Sequence, residues 1–511
     1  MAGIADWSTE LPFVDAMKSS RSWMTRCDEG EPGCTGGWDT QETELLDLDE
    51  RGWVRSLPAP EDPPEFTKAA TLLRREIEGE YLGGEYVVLY EGTGTIDYRF
   101  DAVKDENASR PGRDVINVTP SGAGIYLLIT ETDPDGTGDY IRDIHVVPAE
   151  YEETFATEPF NPMFLDRLRP FSTLRFMDWM DTNHSEVSAW SDRPQVDDAR
   201  YSLKGVPLEI MAQLVNELDV DAWFCMPHQA TDEYIRQFAE QVKALLEPDR
   251  HIYVEYSNEV WNWSFSQADY ALEQGKARWN RDGDVYMQWY GMRTAQMADI
   301  WRDVFGTDGD RLTVVISSQT GWRGLEPAAL DCPLWVAEGN TPCHEHADVY
   351  AITGYFSGKL SEDDNAAAIE AWLSDPEQAT ENALTQLQDG NLLEKNGDSV
   401  STNRDSFAYH GQVAQERGLD LVVYEGGQHI VSPNNELLTD FFIELNRHPR
   451  MYDLYTNLLN IWKESGGSLF MNFSDITAPS RWGSWGVLET VYQESSPRYD
   501  ALVDFAEQLV E

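Results

Sequence analysis

From about residue 155 onward, short apolar runs alternate with segments of helical periodicity, and this rhythm limits the possible folds more than any other feature. The runs are Ser172–Met177, Ala222–Met226, Ile252–Tyr256, Leu312–Ile316, Val349–Thr353, Leu421–Tyr424 and Ser468–Asn472. Between them, Leu208–Leu218, Asp232–Leu246, Gln288–Phe305, Asn382–Leu387 and Leu437–Leu445 read as helices. Each run has a polar or aromatic residue just past its end. Seven strands, with an eighth expected from Leu11–Ala16 or the segment just before it, predict a (β/α)8 TIM barrel. In that fold chemistry gathers at the C-terminal ends of the strands. A doubly wound open sheet is the alternative, but it normally carries a Gly-rich phosphate loop after its first strand, and none is present.

Residues 45–150 break the rhythm. Tyr86–Tyr90, Thr95–Phe100, Asp114–Val118, Gly124–Thr130 and Ile141–Val147 are short alternating segments separated by Gly, Pro and Asp turns. They predict a small antiparallel β module, 45–150, inserted into a barrel made of 1–44 and 151–511. The stretch Asp133–Asp139 has the flavour of a calcium loop but lacks the full ligand pattern, so a hairpin turn is expected there.

Two strand ends carry chemistry. His251–Tyr256 is β-branched and aromatic, and it stops on Ser257, Asn258 and Glu259, followed by Trp261 and Trp263. Leu419–Tyr424 stops on Glu425, then Gly426 and Gly427, a pair expected to let the chain turn sharply and open the carboxylate to a sugar ring. A carboxylate with an amide beside it and indoles behind it suits glycosidic chemistry: the acid protonates the leaving oxygen, Asn258 holds a sugar hydroxyl, and the rings stack on sugar faces. Retaining glycosidases need a pair of such carboxylates, about 5–5.5 Å apart. Trp179, Trp261, Trp263, Trp322, Trp482 and Trp485 all follow expected strand ends and would suit an extended oligosaccharide cleft, with about half of them expected to be core residues instead.

The bulk properties exclude other classes. With 38 basic against 91 acidic residues the net charge is −53, a surface that repels nucleic acid and anionic membrane. The acidic residues are spread along the whole chain, and 41% hydrophobic residues with 18 Trp argue for a substantial core. Such a composition resembles that of haloarchaeal proteins and predicts salt-dependent folding. Of five cysteines, Cys27/Cys34 and Cys332/Cys343 can close local bridges in an exported protein, and Cys225 reads as a buried free thiol. His344 and His346 have a spacing that could serve a metal, but a polar loop is the simpler reading. No cofactor or metal motif is present. No apolar run is long enough to span a membrane. Met1-Ala2-Gly3 leads at once into Ile4–Ala16, a start that reads as trimmed from an exported precursor, so an extracellular location is expected.

With these strand ends in view, 155–490 resembles the retaining TIM-barrel glycosidases of glycoside hydrolase clan A. The marks are Asn258-Glu259 closing the fourth strand and Glu425 closing the seventh. The resemblance implies that Glu259 is the acid/base and Glu425 the nucleophile. It matches Arg175 to the second-strand arginine that steadies the nucleophile, His228 to a third-strand histidine of cellulase-like families, and Tyr355 to the sixth-strand tyrosine that bonds the nucleophile. The eighth strand departs from the pattern: Phe473 stands at its end, so Trp482 or Trp485 must take the place of the clan's tryptophan.

The function expected is therefore endo-acting hydrolysis of a β-glycan, a β-1,4-glucan first, with xylan, mannan and β-1,3-glucan as alternatives. A non-catalytic carbohydrate-binding protein on the same barrel is the competing class. A metal-dependent hydrolase or esterase would need a G-x-S-x-G elbow or an H-E-x-x-H helix, and neither is found. The partner is a polysaccharide or oligosaccharide substrate, and the oligomeric state is left open.

Overall fold

Seven parallel strands in the computed structural model form one curved sheet in chain order, and they position the site. They are β1 (Thr173–Arg175), β2 (Asp221–Met226), β3 (Ile252–Tyr256), β4 (Leu312–Ser317), β5 (Val349–Phe356), β6 (Asp420–Gln428) and β7 (Leu469–Asn472). The structure describes residues 1–59 and 64–510. Helices join successive strands, as parallel pairing requires. The helix Asp232–Leu245 shows why they form: the Thr231 hydroxyl accepts the Tyr234 N–H at its start, and Tyr234, Ile235, Phe238, Ala239 and Val242 make one buried stripe. Inside the sheet, Trp223, Cys225, Val315, Val349, Ala351, Val422 and Tyr424 fill the interior as a packed layer. Cys225 is free and buried there, as expected.

The eighth strand expected from Leu11–Ala16 is not a strand. Leu11 sits at φ +44, Phe13 makes only an isolated antiparallel bridge to Phe160, and Ala16–Ser19 is a 3-10 turn capped by the Asp15 carboxylate. This segment reads as apolar because Leu11, Phe13, Val14 and Met17 are core residues, but a left-handed residue breaks the extended conformation.

Ahead of the parallel sheet lie two four-stranded antiparallel sheets. One orders Met24–Arg26, Lys68–Leu73, Ile125–Thr132 and Gly94–Phe100; the other orders Arg142–Pro148, Gly84–Glu91, Arg113–Val118 and Ala102–Lys104. Met24–Arg26 pairs with Lys68–Ala70, so the boundary drawn at residue 45 is corrected to a point ahead of Met24. The Asp133 carboxylate accepts the Thr137 and Gly138 N–H groups, each at 2.8 Å, which closes a turn between two strands. Inward residues such as Val88, Ile116, Leu127 and Val146 belong to the same hydrophobic core as Phe164, Phe224 and Trp301 of the strand–helix part. Both local disulfides are formed, Cys27–Cys34 and Cys332–Cys343.

Candidate active site

Arg175 ends β1, and its guanidinium organises the C-terminal face of the sheet. Nη1 donates to Glu425 Oε1 at 2.7 Å, while Nη2 donates to Glu255 Oε2 at 2.8 Å and to Asn258 Oδ1 at 2.9 Å. The arginine is 5% exposed, and these charge-assisted contacts push its pKa well above the ordinary guanidinium value against the cost of burial. Glu255 is fully buried and also accepts the indole N–H of Trp223 at 3.1 Å.

Glu425 accepts a second bond from the Tyr355 hydroxyl at 2.9 Å, on Oε2. Its orientation comes from a β-bulge. Along β5 and β6 the register pairs Ile352 with Val423 and then Thr353 with Glu425, leaving Tyr424 as the extra residue. Strict alternation would send Tyr424 inward and Glu425 outward; the bulge brings both to the inner side. The glycines after Glu425 have a different role from the one expected. They continue the strand, and a Cβ on Gly426 would stand 2.4 Å from the Phe470 ring, so close packing against β7 demands glycine there.

Glu259 lies just past β3, at φ +42, with Ser257 at φ +62, so the chain turns through two left-handed non-glycine residues. Such residues are uncommon outside turns and functional sites. The Tyr424 hydroxyl donates to Glu259 Oε1 and the Asn262 amide to Oε2, each at 2.9 Å. Burial first, and then the negative charge of Glu425, raise the Glu259 pKa to about 8. Asn258 beside it gives one amide hydrogen to Asn183 Oδ1 at 3.1 Å and accepts from Arg175, which leaves its other N–H free for a ligand hydroxyl.

Trp485 packs edge-on against Tyr355, His429 and Phe473, with centroids 6.2, 5.1 and 5.6 Å away. Of the two candidates for the missing tryptophan it is therefore the one beside Tyr355, which bonds Glu425, and its indole N–H donates to Trp482 O. Trp482 is exposed, with the Arg481 guanidinium over its ring. Trp263 is exposed and packs on Tyr286; Trp261 is half-buried; Trp322 is exposed. Trp179 is corrected to a core residue: it is fully buried among Phe13, Phe164 and Phe176. His228 lies past β2, is buried against Tyr270, and is hydrogen-bonded to neither glutamate; burial lowers its pKa to about 4, so its ring is neutral. His344 and His346 make separate local contacts, to Leu330 O and to Asp299.

Tyr424, Asn262 and Glu255 were not singled out from the sequence. Asn262 could have been, because it follows Glu259 by one turn of chain. Tyr424 could not, because its orientation depends on the bulge.

Among the described residues, no three His, Cys, Asp or Glu side chains are grouped to hold a metal ion, and no helix is long and apolar enough to cross a membrane. No family model and no curated protein matches the chain. Solved structures similar to it include a GH5-4 broad-specificity endoglucanase from Bacteroides salanitronis, 11% identical, covering 68% of this chain and 85% of that one, TM-score 0.37. A GH5 xyloglucan-specific endo-β-1,4-glucanase from a metagenomic library is 13% identical over 67% of this chain and 88% of its own, TM-score 0.38. An endo-1,4-β-D-mannanase from Thermotoga petrophila is 13% identical over 68% and 94%, TM-score 0.32.

Proposed function

We propose that this chain is a retaining, endo-acting β-glycan hydrolase, with β-1,4-glucan as its substrate. The observation that carries the reading is the unequal treatment of two carboxylates at one end of the sheet. Glu425 is ion-paired with Arg175 and bonded by Tyr355, which suits a nucleophile that must stay ionised. Glu259 accepts hydrogen bonds only from neutral donors, and its pKa of about 8 keeps it protonated at neutral pH, which suits a general acid.

The proposed reaction has two steps. Glu425 attacks the anomeric carbon while Glu259 gives its proton to the leaving glycosidic oxygen, so a covalent glycosyl-enzyme forms. Esterification neutralises Glu425 and so lowers the Glu259 pKa; the Glu259 carboxylate then takes a proton from water, whose oxygen attacks the same carbon, breaks the ester bond and restores the Glu425 carboxylate. In this reading the free N–H of Asn258 holds a sugar hydroxyl beside the acid, and Trp485, next to Tyr355, stacks on a sugar ring. Exposed Trp263, Trp322 and Trp482 are candidates for further sugar contacts.

The test is reducing-sugar release from a panel of β-glucan, xylan and mannan, wild type beside Glu425→Ala, in molar salt. Activity on β-1,4-glucan that is lost in the variant, with retained configuration in the first product by NMR, is the expected result. Inversion would overturn the two-step assignment. Binding by both proteins without turnover on any polymer would favour a carbohydrate-binding role.

A further inference from the structure

Alternation along the strand Gly94–Phe100 turns Ile96 and Tyr98 toward the core shared with the strand–helix part. Phe100 should follow them and does not. Its backbone sits at φ +63, an outlier for a bulky residue, and its side chain is 46% exposed. The ring packs on Tyr126, 5.3 Å away between centroids, and Tyr126 lies with Leu72 and Leu128 in a separate apolar layer on the other face of that sheet. A strained backbone thus holds a large apolar ring in water, on the side turned away from the shared core.

Trp38 is held beside it through its backbone. The Thr40 N–H donates to Thr25 O at 2.9 Å and Arg26 Nη1 donates to Trp38 O at 3.2 Å, so 38–40 lies along the edge of Met24–Arg26. The indole is 42% exposed, and its plane is within 18° of the Phe100 ring at 5.6 Å between centroids. Next to it opens a pocket of about 500 Å³ lined by Arg26, Asp28, Glu29, Thr35 and the main chain of Gly36 and Gly37. The Cys27–Cys34 disulfide ties the two sides of that pocket together.

The size and chemistry of this patch suit a sugar better than a protein. Its exposed apolar part is two rings bordered at once by charged and hydroxyl groups, whereas a stable protein interface buries about 800 Å² on each side. A pyranose offers apolar C–H faces to the rings, and each hydroxyl at its rim both donates and accepts. Arg26 supplies donors; Asp28 and Glu29 supply acceptors. With 91 acidic against 38 basic residues, an anionic polysaccharide or a second copy of this chain is repelled, so the ligand is neutral.

We propose that Trp38, Phe100 and the adjoining pocket bind a short run of sugar units of a neutral glycan, at a site separate from the carboxylate pair. The choice of a β-glycan as ligand rests on the reading of Glu259 and Glu425 given above; the site itself does not. Seated there, a polymer is tethered to the protein while another stretch of it reaches the carboxylates.

The experiment adds cellohexaose, xylohexaose or mannohexaose to the full chain in molar salt, with Glu425→Ala beside wild type to stop turnover. Amide hydrogen exchange is read at residues 35–38 and at Phe100. The expected result is at least about fivefold slower exchange there with one of the three sugars. Trp38→Ala and Phe100→Ala should each lose that protection, and retention on the insoluble polymer of the same sugar should fall about tenfold. Turnover of the soluble hexasaccharide by Trp38→Ala should stay within about twofold of wild type, because distant sites act independently. No protection by any of the three, or protection that survives both substitutions, would overturn the proposal. So would a wild-type mass that grows with concentration while the Trp38→Ala mass does not, since the rings would then seat a second copy. Exchange on the unsubstituted chain decides the matter even where a variant folds poorly. Protection without turnover of any glycan sinks the hydrolase reading alone, and turnover without protection sinks this one alone.

Discussion

The Glu259 carboxyl is held by two neutral donors and one negative neighbour, and each has a separable effect. Tyr424 donates to Glu259 and so favours its ionised form. Tyr424→Phe should therefore raise the Glu259 pKa further and move the alkaline limb of the pH–rate profile upward. The same change loosens the Glu259 carboxyl, and on the proposed mechanism kcat on unactivated glucan is expected to fall about tenfold or more, because general acid catalysis depends on a positioned proton donor. Activated aryl glycosides, which need little protonation, should lose much less. Glu425→Gln has the opposite sign for the acid: with the neighbouring charge gone, the Glu259 pKa should drop from about 8 toward the usual carboxylate range. Infrared titration of the carboxyl band reads this without turnover, and an unmoved band would show that burial alone sets the value. In the wild type, activity should decline as pH rises through about 8, where Glu259 loses its proton.

At the scale of elements, the β5–β6 bulge and the β6–β7 contact decide where Glu425 points. Gly426→Ala puts a methyl within 2.4 Å of Phe470 and 3.0 Å of Gly354 O, and a strand locked on both sides cannot move aside. A loss of about 1–3 kcal/mol is expected in denaturant titration, together with reduced kcat from a displaced Glu425. These elements also mark how far the sequence could be read. Glu259 and Glu425 were legible because an apolar run that stops on a carboxylate is a local signal. So was the order of the seven parallel strands, since burial on both faces leaves continuous apolar runs. Tyr424 was hidden because the bulge is a property of pairing between strands 70 residues apart, by the Tyr355–Glu425 spacing. Trp179 was misplaced for a related reason: it follows a strand as Trp261 does, but the chain turns it down into Phe164 and Phe176. Leu11–Ala16 looked like a strand because its apolar residues are buried, although the backbone there is not extended.

For the whole molecule, a net charge of −53 distributed over the surface is a self-repulsion that dissolved salt screens. We predict that the thermal midpoint rises steeply from dilute buffer to molar salt, with circular dichroism showing loss of structure at the dilute end. An unchanged midpoint across that range would sink the salt-adaptation reading. Neither the antiparallel sheets nor the strand–helix part closes its core alone: Val88, Ile116 and Leu127 are packed into the same apolar body as Phe164, Trp179 and Phe224. Bodies that share a core melt together, so calorimetry should find a single transition with equal van't Hoff and calorimetric enthalpies. The practical meaning is for anyone who would edit this protein. The amino-terminal sheets are not a cassette to be excised or grafted elsewhere, because cutting them away would strip the strand–helix part of one wall of its own interior.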